Sequence, residues 1–472
     1  MGNMELAGLS FVVLLGLIFL HIPIGLSMLA VGIGGTVIVT GSWVPILAQM
    51  KSLTYETFSS YSLSIVPLFL LMGQFATRSG MSRGLFRAAA AMIGHKRGGI
   101  TMASVVGCAG FGTICGSSLA TAATMAQVAV PEMRRYGYNG ALSTACLAAG
   151  GTLGILIPPS FVLVIYAILA EQNIAKLFAA AFIPGILAAV GYVITISLFM
   201  RLDPSAAQFA EKASPRERLE AMIEVWSVVL IFLLVVGGIY AGWFTPTEGA
   251  AVGTAGTGLV ALFRRQLGWK VLGECILATA VSSGMIFFIV FGAGVFNSFL
   301  AFTQMSQTMA AWVGGAGFNP WLVLAGILLT YLVFGCVMDS VSMILLTVPI
   351  FFPIIMTLDF GLTPEETAIW FGVLVLIVVE VGLITPPVGM NLFITNSMAP
   401  DVSLTQTYKG VIFFVLFDLI RVAILAAFPA IILAVLWLWR LGNNVQARLE
   451  RNRTPYNRRL PGFFRQAFLF ER

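Results

Sequence analysis

Apolar stretches follow one another along almost the whole chain, and their interruptions recur in pairs. Phe11 to Leu20, Trp226 to Tyr240 and Val411 to Trp439 are nearly free of charge. A helix of about 20 such residues crosses a hydrocarbon layer. Two of the interruptions are Pro-Pro pairs: "GGTLGILIPPS" at 150–160 and "VGLITPPVGM" at 381–390. Each follows a stretch rich in small hydroxyl residues, "GSSLATAATMAQVAVP" ending at Pro131 and "GCVMDSVSMILLTVP" ending at Pro349. Further upstream, "GLIFLHIPIGLSMLAVGIGG" and "GGIYAGWFTPTEGAAVGTAGTG" each join two apolar runs through a short Pro-bearing turn. Matching the two Val-Pro pairs sets Thr121 beside Asp339, Thr124 beside Ser342 and Met125 beside Met343. One plan is used twice. The pattern predicts a first unit over 1–220, with a helical hairpin at about 99–131 and a broken helix at about 140–171. It predicts a second over 221–440, with a hairpin at about 321–357 and a broken helix at about 368–399, and a basic tail over 441–472.

Composition makes the bilayer the solvent. Of 472 residues 59% are hydrophobic and 10% charged, too apolar for a soluble core of this length, so the class is an all-α polytopic membrane protein. No Lys or Arg precedes Lys51. The first run therefore lacks the basic flank of a signal peptide and is expected to stay as a spanning helix, its amino end outward.

Loop charge orients the halves. Residues 78–98 carry Arg78, Arg83, Arg87, Lys96 and Arg97 with no acid, whereas 303–319 hold no Lys or Arg. Arg134 and Arg135 close the first hydroxyl-rich stretch, while Asp359, Glu365 and Glu366 follow the second. By the positive-inside rule the halves lie upside down relative to each other, and the hydroxyl-rich stretches enter and leave on one side as re-entrant hairpins. About ten crossings from an outward start put the carboxyl end outside, yet Arg440 to Arg472 hold eight arginines against two acids, which argues for inside. That side is open, as is an extra crossing within 409–439, where Asp418 and Arg421 interrupt the apolar run. The net charge of +6 comes largely from loops and tail and suits membrane lipid rather than nucleic acid.

A proline inside a helix leaves carbonyls without partners. In hydrocarbon such backbone survives only buried in protein or lining a polar cavity, where its oxygens can bind a cation. For one isolated proline a packing kink is the preferred reading; the repetition in matching positions reverses this. The tip near Ser117 and Ser118 would face an anion with the amino end of its second arm and Na⁺ with hydroxyl and carbonyl oxygens. The second tip falls around Asp339 and Ser340, and an ionised Asp near the bilayer centre needs a partner, either Na⁺ or a helix amino end. Glu380 is open between structural hydrogen bonding and ion coupling, and Glu248 reads as a carboxylate at a helix amino terminus. The five cysteines stand singly as packing residues, and His21 and His95 are too few for a proton relay.

Several of these motifs in order, "GWFTPTEGAAVG", "GTICGSSLATAATM" with "GGTLGILIPPS", and "GLITPPVGMNLF", resemble the large membrane subunit of the tripartite ATP-independent periplasmic (TRAP) transporters, the DctM-like proteins, from about Leu6 to Trp439. The resemblance implies two inverted repeats in an elevator-type, ion transporter superfamily-like fold. It implies a multi-pass permease of the bacterial inner membrane, importing a small organic acid by Na⁺ symport. Its implied partners are a small four-helix membrane subunit, expected as a separate chain because the match begins almost at Met1, and a periplasmic substrate-binding protein.

Carried onto this sequence, the substrate residues are Ser118, Thr121, Thr152 and Asn391. The Na⁺ residues are Ser117, Gly151, Asp339, Ser340, Gly382 and Thr385. Pro158, Pro159, Pro386 and Pro387 shape the breaks. No G-x-x-x-x-G-K-[ST] loop is present, so no ATP is expected. An ion channel with re-entrant selectivity segments is the alternative. A membrane enzyme is disfavoured because neither an H-E-x-x-H pair nor a nucleophile elbow occurs.

Overall fold

The structure, a computed structural model, describes residues 2–203 and 211–438, and every regular element among them is helical. The first part of the chain forms α1 (Asn3–Phe19), α2 (Ile24–Thr40), α3 (Val44–Ser59), α4 (Ile65–Arg78) and α5 (Met81–Ile93). It continues through α6 (Gly99–Cys115), α7 (Ser118–Arg135), α8 (Gly140–Leu156), α9 (Phe161–Leu169) and α10 (Ile174–Leu202). After α11 (Pro215–Glu224) come α12 (Trp226–Phe232) and α13 (Gly238–Tyr240), joined by a π turn, then α14 (Pro246–Phe263) and α15 (Trp269–Thr303). The remainder is α16 (Met305–Gly315), α17 (Pro320–Gly335), α18 (Ser340–Met356), α19 (Pro364–Gly382), α20 (Met390–Ser397), α21 (Leu404–Ala427) and α22 (Pro429–Leu438).

Local chemistry sets most of the starts. Thr245 accepts from the Glu248 N–H while Glu248 returns a bond to the Thr245 N–H, a capping box that accounts for Glu248 as a carboxylate at a helix amino end. Thr363 with Glu366 and Ser403 with Gln406 start α19 and α21 in the same way. The α10, α15 and α21 helices are long and apolar enough to cross a membrane unaided. Within 409–438 the end of α21 and all of α22 are separated at Phe428. The basic tail over 441–472 lies outside the described residues.

Two sets of helices pack side by side. In one, α2 lies along α15 and α4 along α14, with α1 against α2. Gly32 makes the first of these contacts possible, since a Cβ there would stand 2.9 Å from the Phe296 backbone. In the other set the hairpin α6–α7 wraps α8, and α17–α18 wraps α19. Residues 142–156 of α8 and 366–382 of α19 are buried without interruption. A helix that is apolar on every face belongs inside, so the two interrupted helices form the centre. The halves interlock there: α20 rests on α7 and α8, and α9 on α18.

The helix starts correct one expectation. Ser117 is the N-cap of α7 and Asp339 that of α18, so Ser117, not Thr121, is the counterpart of Asp339. Pro131 then corresponds to Pro353, since each lies 13 positions after the first residue of its helix, Ser118 or Ser340. The Val-Pro match was one helical turn out because α18 carries both Pro349 and Pro353. A capping side chain fixes where a helix begins, whereas a proline within it does not. The boundary drawn at 220 falls inside α11, and the nearest break is at Val225.

Candidate functional site

The first tip is a two-residue turn, Gly116 and Ser117, between α6 and α7. Gly116 takes a left-handed φ of 66°, which glycine adopts without steric penalty. The Ser117 hydroxyl accepts from the Ala120 N–H at 3.3 Å, capping α7. The tip is pressed onto α8 where two glycines meet: a Cβ on Gly112 would lie 2.4 Å from Gly154 Cα. A Cβ on Gly154 would itself lie 2.5 Å from Thr121 Oγ1 and 2.9 Å from the Ser117 carbonyl. Just beyond, α8 ends, Ile157 is extended, and Pro158–Pro159 leads to Ser160, the cap of α9.

The second tip repeats the arrangement. The Asp339 carboxylate accepts from the Ser342 N–H at 3.1 Å and from the Ser342 hydroxyl. A helix amino end, one of the two options left open, is thus a partner of this carboxylate. A Cβ on Gly382 would stand 2.5 Å from Gly335 Cα, the same close approach as Gly112 with Gly154. Gly154 and Gly382 each precede their Pro-Pro pair by four positions, and both pairs carry a cis peptide bond. The Gly389 N–H donates to the Cys336 carbonyl at 3.2 Å, tying the break to the tip.

The sites proposed from sequence fall into four places. Ser117, Ser118, Thr121 and Gly151 surround the first tip; a side chain on Gly151 would collide with Ala122 and the Ser118 carbonyl. Asp339, Ser340, Gly382 and Thr385 surround the second, where the Thr385 hydroxyl donates to the Val381 carbonyl at 2.6 Å. Asn391 joins the halves, its Nδ2 donating to the Ala148 carbonyl of α8 at 3.2 Å.

Thr152 faces a different neighbourhood. Its hydroxyl donates to the Ala149 carbonyl at 2.7 Å and stands 3.1 Å from Tyr192 Oη. Tyr192 donates to Asp418 at 2.6 Å, and Arg421 pairs with Asp418 at 2.9 Å. All four are buried. This chain links α8, α10 and α21, and the sequence reading saw in it only an interruption of an apolar run. The available signal was an Asp and an Arg three apart in an apolar helix, which puts both on one face.

Glu380 occupies, by distance from the prolines, the position equivalent to Thr152. It is completely buried. Its Oε1 accepts from the Ser340 hydroxyl at 2.7 Å. Its Oε2 has no hydrogen bond of its own, and neither has Asn391 Oδ1 nor Thr121 Oγ1, which sits beside the Cys115 thiol. Leftover buried oxygens at two helix breaks are the donor set of a hard monovalent cation, and two helix amino ends beside them suit an anion. The residues at the tips therefore fit Na⁺ with an organic anion.

The family model of the "Tripartite ATP-independent periplasmic transporter, DctM component" matches residues 11–431. The chain belongs to this family. The C4-dicarboxylate TRAP transporter large permease protein DctM of Pseudomonas aeruginosa is 36% identical over 382 residues, covering 81% of this chain and 87% of that one. Its counterpart in Rhodobacter capsulatus is 30% identical over 451 residues, 92% of this chain and 99% of that one. The sialic acid TRAP transporter large permease protein SiaM of Vibrio cholerae is 29% identical over 420 residues, 88% of this chain and 95% of that one. Among solved structures, the Alcanivorax borkumensis YdaH transporter, whose topology is described as unusual, superposes with a TM-score of 0.58 at 14% identity over 82% of this chain and 88% of its own. At that identity the likeness is one of fold alone. The DctM-component chain is thus a membrane protein and part of a transporter, and the relatives named here are transporter permeases.

Proposed function

We propose that this chain is the permease of a Na⁺-driven symporter that imports a small organic acid across the bacterial inner membrane by an elevator movement. The observation that carries the reading is the doubled tip: two hairpins, each setting a capped helix amino end against an interrupted helix, with unpaired oxygens between them. Substrate class follows the relatives, which are named for C4-dicarboxylates, sialic acid and, in the 28% identical DctMQ of Oleidesulfovibrio alaskensis, isethionate. All are organic anions. The helices α6–α9 and α17–α20 are the moving part in this reading, and α1, α2, α4, α14 and α15 the wall against which they slide. The two halves are inverted repeats in the membrane in this reading, which the contrast in loop charge supports.

Bound Na⁺ supplies positive charge that offsets the anion's. The chain's residues supply the cradle: Ser117 and Asp339 hold the helix starts, the glycine pairs bring tip to break, and Asn391 joins the halves. A periplasmic binding protein delivers the substrate, and a separate four-helix subunit completes the complex.

Reconstitution of the complete complex in vesicles tests this. A Na⁺ gradient should drive uptake of a labelled dicarboxylate or sugar acid only with the binding protein present. A large substrate-independent Na⁺ current would instead favour the channel, and chemistry persisting without Na⁺ and partners would favour a membrane enzyme.

A further inference from the structure

The two helix breaks are alike in course and unlike in bonding. Pro158 and Pro159 have no N–H, so the carbonyls of Gly154 and Ile155 lose the donors that an unbroken helix would give them. Among the described residues the Pro158 and Pro159 carbonyls accept no hydrogen bond either, and the whole stretch is buried. At the second break each of the four corresponding oxygens has a donor beside it. Gly382 accepts from the Thr385 N–H at 3.0 Å and Leu383 from the Asn391 N–H at 3.1 Å. The Cys336 thiol lies 3.8 Å from the Pro386 carbonyl. The Tyr408 hydroxyl, on α21, reaches the Pro387 carbonyl at 2.5 Å and the Val388 carbonyl at 3.3 Å. Its helix is pinned at this point, because the Thr407 hydroxyl donates to Asn396 Oδ1 of α20 at 2.9 Å and stands 2.9 Å from Thr144 Oγ1 of α8. The phenol is thus held over the break by two other helices.

We infer that Tyr408 sets the cation affinity of the second half-site, its hydroxyl competing with Na⁺ for the Pro387 and Val388 carbonyls. The inference rests on the reading that the breaks hold Na⁺. A carbonyl oxygen has two lone pairs, and one that already accepts a proton has less charge to offer an ion. A cation at the second break must displace the phenol or share the oxygen with it. The Pro159 carbonyl of the first break meets no such rival among the described residues. Tyr408 therefore loosens the second half-site and speeds the release of its ion.

The test is equilibrium binding of radiolabelled Na⁺ to the purified full chain in nanodiscs, with choline as the balancing cation, joined to Na⁺-dependent uptake by the complete complex in vesicles. Tyr408→Phe keeps the ring and removes the donor. It should tighten Na⁺ binding about 2- to 13-fold, the equivalent of one net hydrogen bond. In vesicles it should lower both the Na⁺ concentration for half-maximal uptake and the maximal rate. Tyr408→Leu, which lacks the ring as well, should shift binding in the same direction. A tyrosine that only holds the fold would lower the unfolding temperature in choline and leave Na⁺ binding unchanged or weaker, and either binding result overturns the inference. Tightening that persists in full when Asp339→Ala disables the second tip places the effect elsewhere and also overturns it, leaving Na⁺ binding intact. No saturable Na⁺ binding by the unsubstituted protein overturns the functional reading and this inference together.

Discussion

Gly382 holds a place that no larger residue can enter, because the opposing atoms are the Gly335 backbone and cannot turn aside, whereas Gly154 faces the Thr121 side chain and the Ser117 carbonyl. Gly382→Val should cost about 1–3 kcal/mol by overpacking and push the second tip off its break. A lowered unfolding temperature together with loss of Na⁺-driven uptake would show this, and unimpaired uptake would refute the close approach. At the caps, charge and hydrogen bonding can be separated. Asp339→Ser keeps an acceptor for the Ser342 N–H, whereas Asp339→Ala and Ser117→Ala remove one worth about 1 kcal/mol. Uptake should fall at least tenfold in both alanine variants at equal membrane abundance. Asp339→Ser should match Asp339→Ala in uptake if the carboxylate itself faces the cation, and exceed it if only the cap matters. The hydroxyl-rich stretches disclosed these positions in the sequence. Glu380 was visible only as an acid near a break, since nothing local says which hydroxyls it meets.

Helix α21 is where an element's pattern understates its role. Asp418 and Arg421 share one face by their spacing, but their place on Tyr192 and on the Pro184 carbonyl depends on α10 lying alongside. Arg421→Ala leaves Asp418 buried without its partner, which should cost about 3–5 kcal/mol. Tyr192→Phe removes the hydrogen bond to the Asp418 carboxylate and should cost about 1.5–3 kcal/mol. Thermal unfolding in detergent should rank them in that order; equal effects would mean that Arg421 finds water. Helices α7 and α18 show the other difficulty. Their prolines invited a match that was one turn out, because a proline is tolerated wherever neighbouring helices satisfy the freed carbonyl. The caps, each a side chain bonded to a particular N–H, gave the register.

For the whole molecule the bilayer turns stoichiometry into an observable. One charge moved through 100 mV is worth about 2.3 kcal/mol. A dianion accompanied by two Na⁺ moves no net charge, and a third ion makes uptake electrogenic. A K⁺ diffusion potential, inside negative, should therefore accelerate dicarboxylate uptake if three ions accompany each substrate, and leave it unchanged if two do. Inhibition by that potential would contradict both counts.

The amino-acid order alone determined that this is a helical membrane protein, built on one plan used twice, with two helices broken at Pro-Pro pairs and hydroxyl-rich hairpins before them. Hydropathy, glycine and proline act within a few residues, so those features can be read in one dimension. Only the tertiary structure decided that Gly112 meets Gly154 and Gly335 meets Gly382, that Thr152 turns toward Tyr192, and that Glu380 accepts from Ser340. Each depends on which faces of distant helices come together. In a chain this uniformly apolar, the hydrophobic pattern has too little contrast to choose those faces, and steric fit and a few buried hydrogen bonds make the choice instead.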